Sequence, residues 1–380
     1  MESIYLGEQH KLLRDSVRKF VEAEIVPHLE EWEEQKELPR WLFQRMGELG
    51  YFGIRYPAKY GGSEADFFSS VVFSEELGRS QSLGVANSLT VHSEMAAQFI
   101  HAWGTEAQKE AYLKPAIAGE KILALGISEP NAGSDVSSIE TVATREGDQY
   151  VIRGSKMFIT NGSFADTLIL AARTGKGDRH KNLSVFLFDT ATPGFSASPL
   201  KKIGHHMSGT SALYLEDCRI PADRLLGEAG QGFYAIMNTF QAERLVVSAY
   251  NIGAAQKVFE DSLQYAQDRV AFGQPIGKFQ TVAHRLAEMA IELEASRQLL
   301  YHATWLYQQG KDFRKEVAMI KVHAARMCHW LADQGVQIHG GYGYMAEYPV
   351  SRAYLDTRLG SIGGGTSEIQ KEILAKLLGL

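Results

Sequence analysis

About a hundred residues of β-patterned sequence lie between two helical stretches, and any fold for this chain must honour that order. Residues 121–227 carry short runs of β-branched, aromatic and leucine residues, at 150–152, 167–172, 183–188 and 212–215. Turn signals separate them: Gly175-Lys-Gly-Asp, Thr192-Pro-Gly and Ile220-Pro. Tyr150 to Gly162 reads as two short strands around a turn at Gly154, and the spacing of the whole predicts a small barrel or sandwich. Before this block, Leu12, Val17, Phe20, Val21 and Ile25 recur near a 3.6-residue period, and Pro27 closes that helix. Further helices are expected over 41–49, 66–79 and 87–103. After the block, long helices are expected from 233 to about 269, over 282–308 and over 315–339, the last ended by Gly340. A short terminal helix follows, with Ser367 and Gln370 at capping-box spacing. The expected architecture is multi-domain α and β: a helical domain at 1–120, a small β domain at 121–228 and a helical domain at 229–380.

A chain of 380 residues suits two or three such domains. Its formal net charge of -6 argues against wholesale nucleic-acid binding. No apolar run reaches the length of a membrane span, and Met1-Glu-Ser-Ile-Tyr has neither the basic nor the apolar region of a signal peptide. A cytoplasmic location is expected, or the mitochondrial matrix for a processed chain. The two cysteines, Cys218 and Cys328, fit no metal spacing and read as reduced thiols.

Several chemistries are disfavoured because their motifs are missing. There is no strand–GxGxxG–helix unit, no GxxxxGK[ST], no HExxH and no Gly-x-Ser-x-Gly. His205-His206 is a pair, but neighbours on one strand would face opposite ways, so no metal site is expected. Two polar loops remain. Ile127-Ser-Glu-Pro-Asn-Ala-Gly-Ser-Asp135 is either an ordinary turn or a wall of hydroxyl and amide donors against a polar ligand. Lys156-Met-Phe-Ile-Thr-Asn-Gly162 places Phe158 and Thr160 on one side of a strand, suited to core packing or to a flat ring that needs one hydrogen bond. On a helical wheel, Phe233, Ile236, Phe240 and Val247 form an apolar stripe. Glu243 and Arg244 fall on its edges, about 60° and 40° from Phe240. A carboxylate there is either paired with an arginine across a helix interface or is a general base in an apolar pocket.

Taken together, the motifs resemble those of the acyl-CoA dehydrogenases along essentially the whole chain. Besides the two loops, they are Arg269-Val-Ala-Phe-Gly273, Gln337-Ile-His-Gly-Gly-Tyr-Gly343, Glu347-Tyr-Pro-Val350 and Gly364-Gly-Thr-Ser-Glu368. The resemblance implies a helical domain, a small β-barrel domain and a C-terminal four-helix bundle, assembled as a homotetramer around FAD. It also implies roles. Leu125, Ile127, Ser128, Phe158 and Thr160 would wall the flavin, and Ser134 would serve both flavin and the acyl-CoA arm. Arg269, Phe272, Phe279 and Gln280 would reach the pyrophosphate and adenosine of a neighbouring subunit's FAD. Gln337 and Gly341 would come from a partner subunit, and Thr366 and Glu368 would line the FAD.

One departure from the family pattern matters. Many members carry the catalytic glutamate just before the Gly-Thr of the C-terminal motif, where this chain has Gly364. The isovaleryl-CoA and long-chain branches place it instead on the long helix before an arginine, and Phe240-Gln-Ala-Glu-Arg-Leu matches that arrangement. The expected reaction is α,β-dehydrogenation of an acyl-CoA to the trans-2-enoyl-CoA, with electrons passed to an electron-transferring flavoprotein. Glu243 would take the α proton, Arg244 and Gly364 would lie beside the substrate, and the Gly364 N–H would donate to the thioester carbonyl. The pocket would admit a medium-length, long or branched acyl group. No arginine stands among residues 84–100 for a distal carboxylate, which disfavours a dicarboxylic substrate. Two rivals are a relative with oxidase, nitroalkane oxidase or desulfinase chemistry and a non-catalytic flavin- or acyl-CoA-binding protein.

Overall fold

The computed structural model describes residues 3–380. The first helical block contains α1 (Glu8–Phe20), α2 (Leu29–Gln35), α3 (Arg40–Glu48), α4 (Phe67–Gly78), α5 (Leu83–Thr90), α6 (Ala97–Trp103) and the short α7 (Glu106–Gln108) and α8 (Lys114–Ile117). Asp66 and Ser82 start α4 and α5 by accepting from the N–H groups of Ser69 and Val85. Pro27 does not end the first helical run as expected. The chain passes from α1 through a π turn, Val21–Ile25, into a 3-10 turn, Val26–His28, whose first positions need no N–H from proline.

The middle block is a sheet of eight strands: β1 (Leu123–Gly126), β2 (Val142–Glu146), β3 (Gln149–Ile159), β4 (Thr167–Arg173), β5 (Leu183–Asp189), β6 (Phe195–Pro199), β7 (Ser211–Pro221) and β8 (Leu225–Leu226). The order is β6-β7-β3-β2-β4-β5-β8, with β1 paired in parallel to β4. Four strands escaped the sequence reading, among them β8 with only two residues. β1 is only four residues long, and β2 and β6 are rich in small, polar and exposed residues that carry little strand signal. Gly154 does not turn the chain: β3 runs through it with a register shift against β7. A side chain at Gly154 would meet the Thr141 hydroxyl at 2.5 Å, so the glycine permits close approach. β4 is buried along most of its length because both faces are covered. Leu168, Leu170 and Ala172 enter a core with Tyr150, Phe186 and Leu213, while Ile169 and Ala171 face a second core under Phe99, Ile100 and Leu113.

The last block is built on α9 (Gly232–Asp268), followed by a hairpin of β9 (Val270–Ala271) and β10 (Gln274–Pro275). Then come α10 (Gln280–Gln308), α11 (Arg314–His339), α12 (Pro349–Asp356) and α13 (Ser367–Leu377). Thr366, not Ser367, caps α13, its hydroxyl accepting from the Ile369 N–H at 3.3 Å. The apolar stripe read on α9 describes only its first turns. From Ala242 to Ala255 every residue is buried, because α4 and α5 cover one side while α10 and α11 cover the other. No helix among the described residues is long and apolar enough to cross a membrane.

Two glycines let α4 and α9 cross almost backbone to backbone. A Cβ on Gly253 would lie 1.8 Å from the Glu75 carbonyl oxygen, and one on Gly78 would lie 2.1 Å from that of Tyr250. Neither neighbour is a flexible side-chain end, so relief requires moving a helix. Gly253→Ala should therefore destabilise the fold by about 3 kcal/mol, at the upper end for overpacked cores. The reading is a lower urea midpoint at unchanged m-value.

Candidate active site

Glu243 sits on the central stretch of α9 and is 8% exposed. Its Oε2 has no hydrogen-bond partner, and it forms no ion pair within 4.0 Å among the described residues. Of the two sequence-based readings, the paired carboxylate is thus not what the structure shows. Burial pushes the carboxyl up to about 7, and the nearby charges of Arg244 and Lys321 oppose that rise. Arg244 is also buried. It donates to Gln241 Oε1 at 3.3 Å, its Nε is unpaired, and burial lowers its pKa.

The turn before α13 closes over this carboxylate. Gly364 takes φ +65, and a Cβ built on it would lie 3.5 Å from Glu243 Oε1, 3.7 Å from Val247 Cγ2 and 4.0 Å from Lys321 Cε. Its N–H has no acceptor among the described residues. Thr366 and Glu368 follow within the same turn and first helical turn. Two neighbours were missed from sequence. Lys321 of α11 is 1% exposed and donates to the Gly360 carbonyl at 2.8 Å. Gln370 of α13 is fully buried, and its Nε2 would lie 2.8 Å from a Cβ on Gly365. Lys321 had a signal: a lysine among Val317, Ala318, Ile320, Ala324 and Ala325, all buried on α11. The same test that singled out Glu243 applies to it.

Leu125, Ile127, Ser128 and the Phe158–Thr160 segment come together where the loop after β1 meets the end of β3. The Met157 N–H donates to the Ser128 carbonyl at 2.9 Å. Beneath the loop, Lys156 Nζ contacts Glu129 Oε1 at 2.7 Å and the Ile127 carbonyl at 3.3 Å. Glu129 also accepts from the N–H groups of Glu140 and Thr141. The lysine is fully buried, and burial lowers its pKa to about 8 against the pull of Glu129. Ser134 lies exposed further along the loop, where Asp135 accepts from the N–H and hydroxyl of Ser137.

Phe158 and Thr160 do not alternate as a regular strand requires. Phe158 adopts φ +63 within a register shift between Lys156 and Ile159, which leaves its ring 69% exposed instead of in the core. Thr160 is half-buried and accepts from Asn87 Nδ2 at 3.2 Å, while Asn87 Oδ1 accepts from Tyr250 of α9 at 3.4 Å. Asn87 thus connects this wall to the helix that carries Glu243.

The remaining candidates lie elsewhere. Arg269, Phe272, Phe279 and Gln280 belong to the hairpin and its junction with α10, with the Phe272 ring 96% exposed. The Arg269 guanidinium lies over the Tyr342 ring at 5.8 Å and has no acidic partner among the described residues. Tyr265 stacks on His339 at 4.3 Å. The hairpin therefore shares one surface with the exposed Gln337 and Gly341. At about 1.5 Å per residue, Arg269 stands roughly 40 Å along α9 from Glu243.

His205 and His206 are not on a strand. They open a 3-10 turn, where the His205 N–H donates to Asp356 and His206 contacts Glu33. No group of metal-ligating side chains exists among the described residues.

Comparison with known proteins agrees with this architecture. The acyl-CoA dehydrogenase N-terminal, middle and C-terminal domain models match residues 7–120, 124–218 and 230–379. The chain is 41% identical to a probable acyl-CoA dehydrogenase, YngJ, of Bacillus subtilis, over 98% of either chain. It is 38% identical to the mitochondrial long-chain specific acyl-CoA dehydrogenase of Rattus norvegicus, over 97% of this chain and 86% of that one. The butyryl-CoA dehydrogenase structure from Megasphaera elsdenii superposes over 100% of both chains with a TM-score of 0.95 at 36% identity. The chain belongs to the acyl-CoA dehydrogenase family, and it is an FAD-dependent oxidoreductase.

Lys156→Met would leave Glu129 buried without its cation. It should cost about 3–5 kcal/mol in denaturant unfolding. Arg153→Ala, which removes an exposed pair with Asp217, should be near neutral in the same assay.

Proposed function

We propose that the chain dehydrogenates an acyl-CoA across its α and β carbons, with Glu243 as the general base. The observation that carries this is the unpaired, buried carboxyl raised to about 7 beside Gly364. A base held near the working pH combines a usable proton affinity with a substantial ionised fraction. Gly364 supports the same reading. Its free N–H is a donor for a thioester carbonyl, where negative charge grows as the α proton leaves. Arg244 would lie beside the substrate, and its charge favours the ionised form of Glu243.

The residues present fit FAD. Leu125, Ile127, Ser128 and the uncovered Phe158 ring offer a flat wall, and Thr160 a hydroxyl. Because Thr160 accepts from Asn87, its own proton is free to point outward. Ser134 would face both cofactor and substrate arm, and Thr366 and Glu368 would line the cofactor near α13. Bound FAD supplies the hydride acceptor for the β hydrogen. Arg269 suits a pyrophosphate, being exposed and without an acidic partner. Its distance from Glu243 suits service to a neighbouring copy's cofactor, together with Phe272, Phe279, Gln280, Gln337 and Gly341. A homotetramer follows as the proposed assembly, and an electron-transferring flavoprotein as the proposed electron acceptor.

For the acyl group we propose a medium-length, long or branched chain. Gly363 supports this because it adds no side chain beside Gly364; the nearest atom to a Cβ built there would be Leu359 Cγ, at 3.6 Å. Anaerobic bleaching with straight and branched acyl-CoAs tests it; preference for a four-carbon straight chain would reject it.

Glu243→Gln should retain FAD and its yellow absorption yet slow bleaching by acyl-CoA about 10³-fold. Bleaching at the wild-type rate would exclude Glu243 as the base. Since the ionised form is the active one, the wild-type bleaching rate should rise with pH along a limb centred near 7. Arg269→Ala should release FAD on gel filtration while circular dichroism stays unchanged.

A further inference from the structure

Three helices converge behind the Gly364 turn, and each brings a charged or polar group: Glu243 and Arg244 from α9, Lys321 from α11, and Glu368 and Gln370 from α13. Lys321 is the member that touches both the carboxylate's surroundings and the turn itself. A Cβ on Gly364 would lie 3.5 Å from Glu243 Oε1 and 4.0 Å from Lys321 Cε. The lysine's direct bond is to the Gly360 carbonyl, at the start of the turn. Leu359, one residue earlier, accepts from the N–H groups of Ile362 and Gly363, which shapes the turn up to Gly364. An ammonium buried to 1% exposure with a single carbonyl partner is costly, and a lysine kept there at that cost points to a use beyond stability.

We infer that Lys321 is a positioning residue for the dehydrogenation: through Gly360 it fixes the turn that presents the Gly364 N–H, and it sets its ammonium group close to that turn and to Glu243. The inference rests on Glu243 being the base. The charged groups around that carboxyl are Arg244 beside it, Lys321 from α11 and, acting on Lys321, Glu368 from α13. Tyr250 lies on the same helix, where burial and the Glu243 charge both keep its phenol protonated. Arg244 and Lys321 are the two cations acting on Glu243, and only Lys321 is bonded to the turn. Burial lowers Lys321 to about 8, with Arg244 adding to the fall and Glu243 and Glu368 opposing it. Below that pH the lysine carries its charge while Glu243 begins to ionise.

The two functions separate in two variants of the FAD-loaded enzyme. Lys321→Gln keeps a donor for the Gly360 carbonyl and removes the charge, whereas Lys321→Met removes both. The measurement is the pH dependence of anaerobic flavin bleaching, using the acyl-CoA that bleaches the wild type fastest. Loss of the cation raises the proton affinity of Glu243, so the limb near 7 should move up by about one pH unit in Lys321→Gln. At pH values above both limbs, Lys321→Gln should bleach within a few-fold of wild type and Lys321→Met at least tenfold more slowly. A Lys321→Gln limb that coincides with wild type overturns the inference, whether or not Lys321→Met folds. So does a Lys321→Met plateau equal to wild type. Glu243→Gln, run alongside, separates the two failures. If it bleaches normally, the base assignment is wrong; if it is inert while both lysine variants behave as wild type, only the role of Lys321 falls.

Discussion

The close crossing of α4 and α9 is the contact from which the other distances follow. Helices in ordinary packing keep their axes 8–10 Å apart because side chains stand between them. At Gly78 and Gly253 nothing stands between, and the two backbones meet. This draws α9 so far into the molecule that more than three successive turns are enclosed on every side. A carboxylate on those turns leaves bulk water by virtue of where the helix lies. The raised proton affinity of Glu243 is therefore a property of helix placement more than of any specific partner.

Two sets of buried polar side chains differ in kind. Glu129 and Lys156 satisfy one another and nearby amides, and so hold a loop in one shape. Glu243, Arg244 and Gln370 keep atoms without partners. Unsatisfied buried groups oppose folding, and they concentrate where a protein has a task other than stability. The satisfied pair holds a loop of the β block, and the partnerless atoms lie around the carboxyl proposed as the base.

The order of helical and β blocks was legible from periodicity, and so were the four long helices at 67–78, 232–268, 280–308 and 314–339. The strand that runs through Gly154 was not, because a glycine used for close approach looks like a glycine used for a turn. Glu243 was legible as a charge beside an apolar stripe, although the stripe understated its burial. Phe158 was legible as a residue of interest but not in its conformation: a positive φ at a phenylalanine has no signature in a single sequence. Lys321 was overlooked among Ile, Ala and Val, where the sign that mattered was the lysine itself. Asn87 could not be found, since its bonds to Thr160 and Tyr250 join segments far apart in the chain.

The space beside Gly364 also limits what the turn can carry. A side chain starting at 364 would begin 3.5 Å from the Glu243 carboxylate, so an acid there would compete for the volume Glu243 already occupies. Two carboxylates crowded into one dry volume would share a proton, and at 364 the left-handed backbone would have to relax as well. The glycine at 364 keeps that volume free of a second acid.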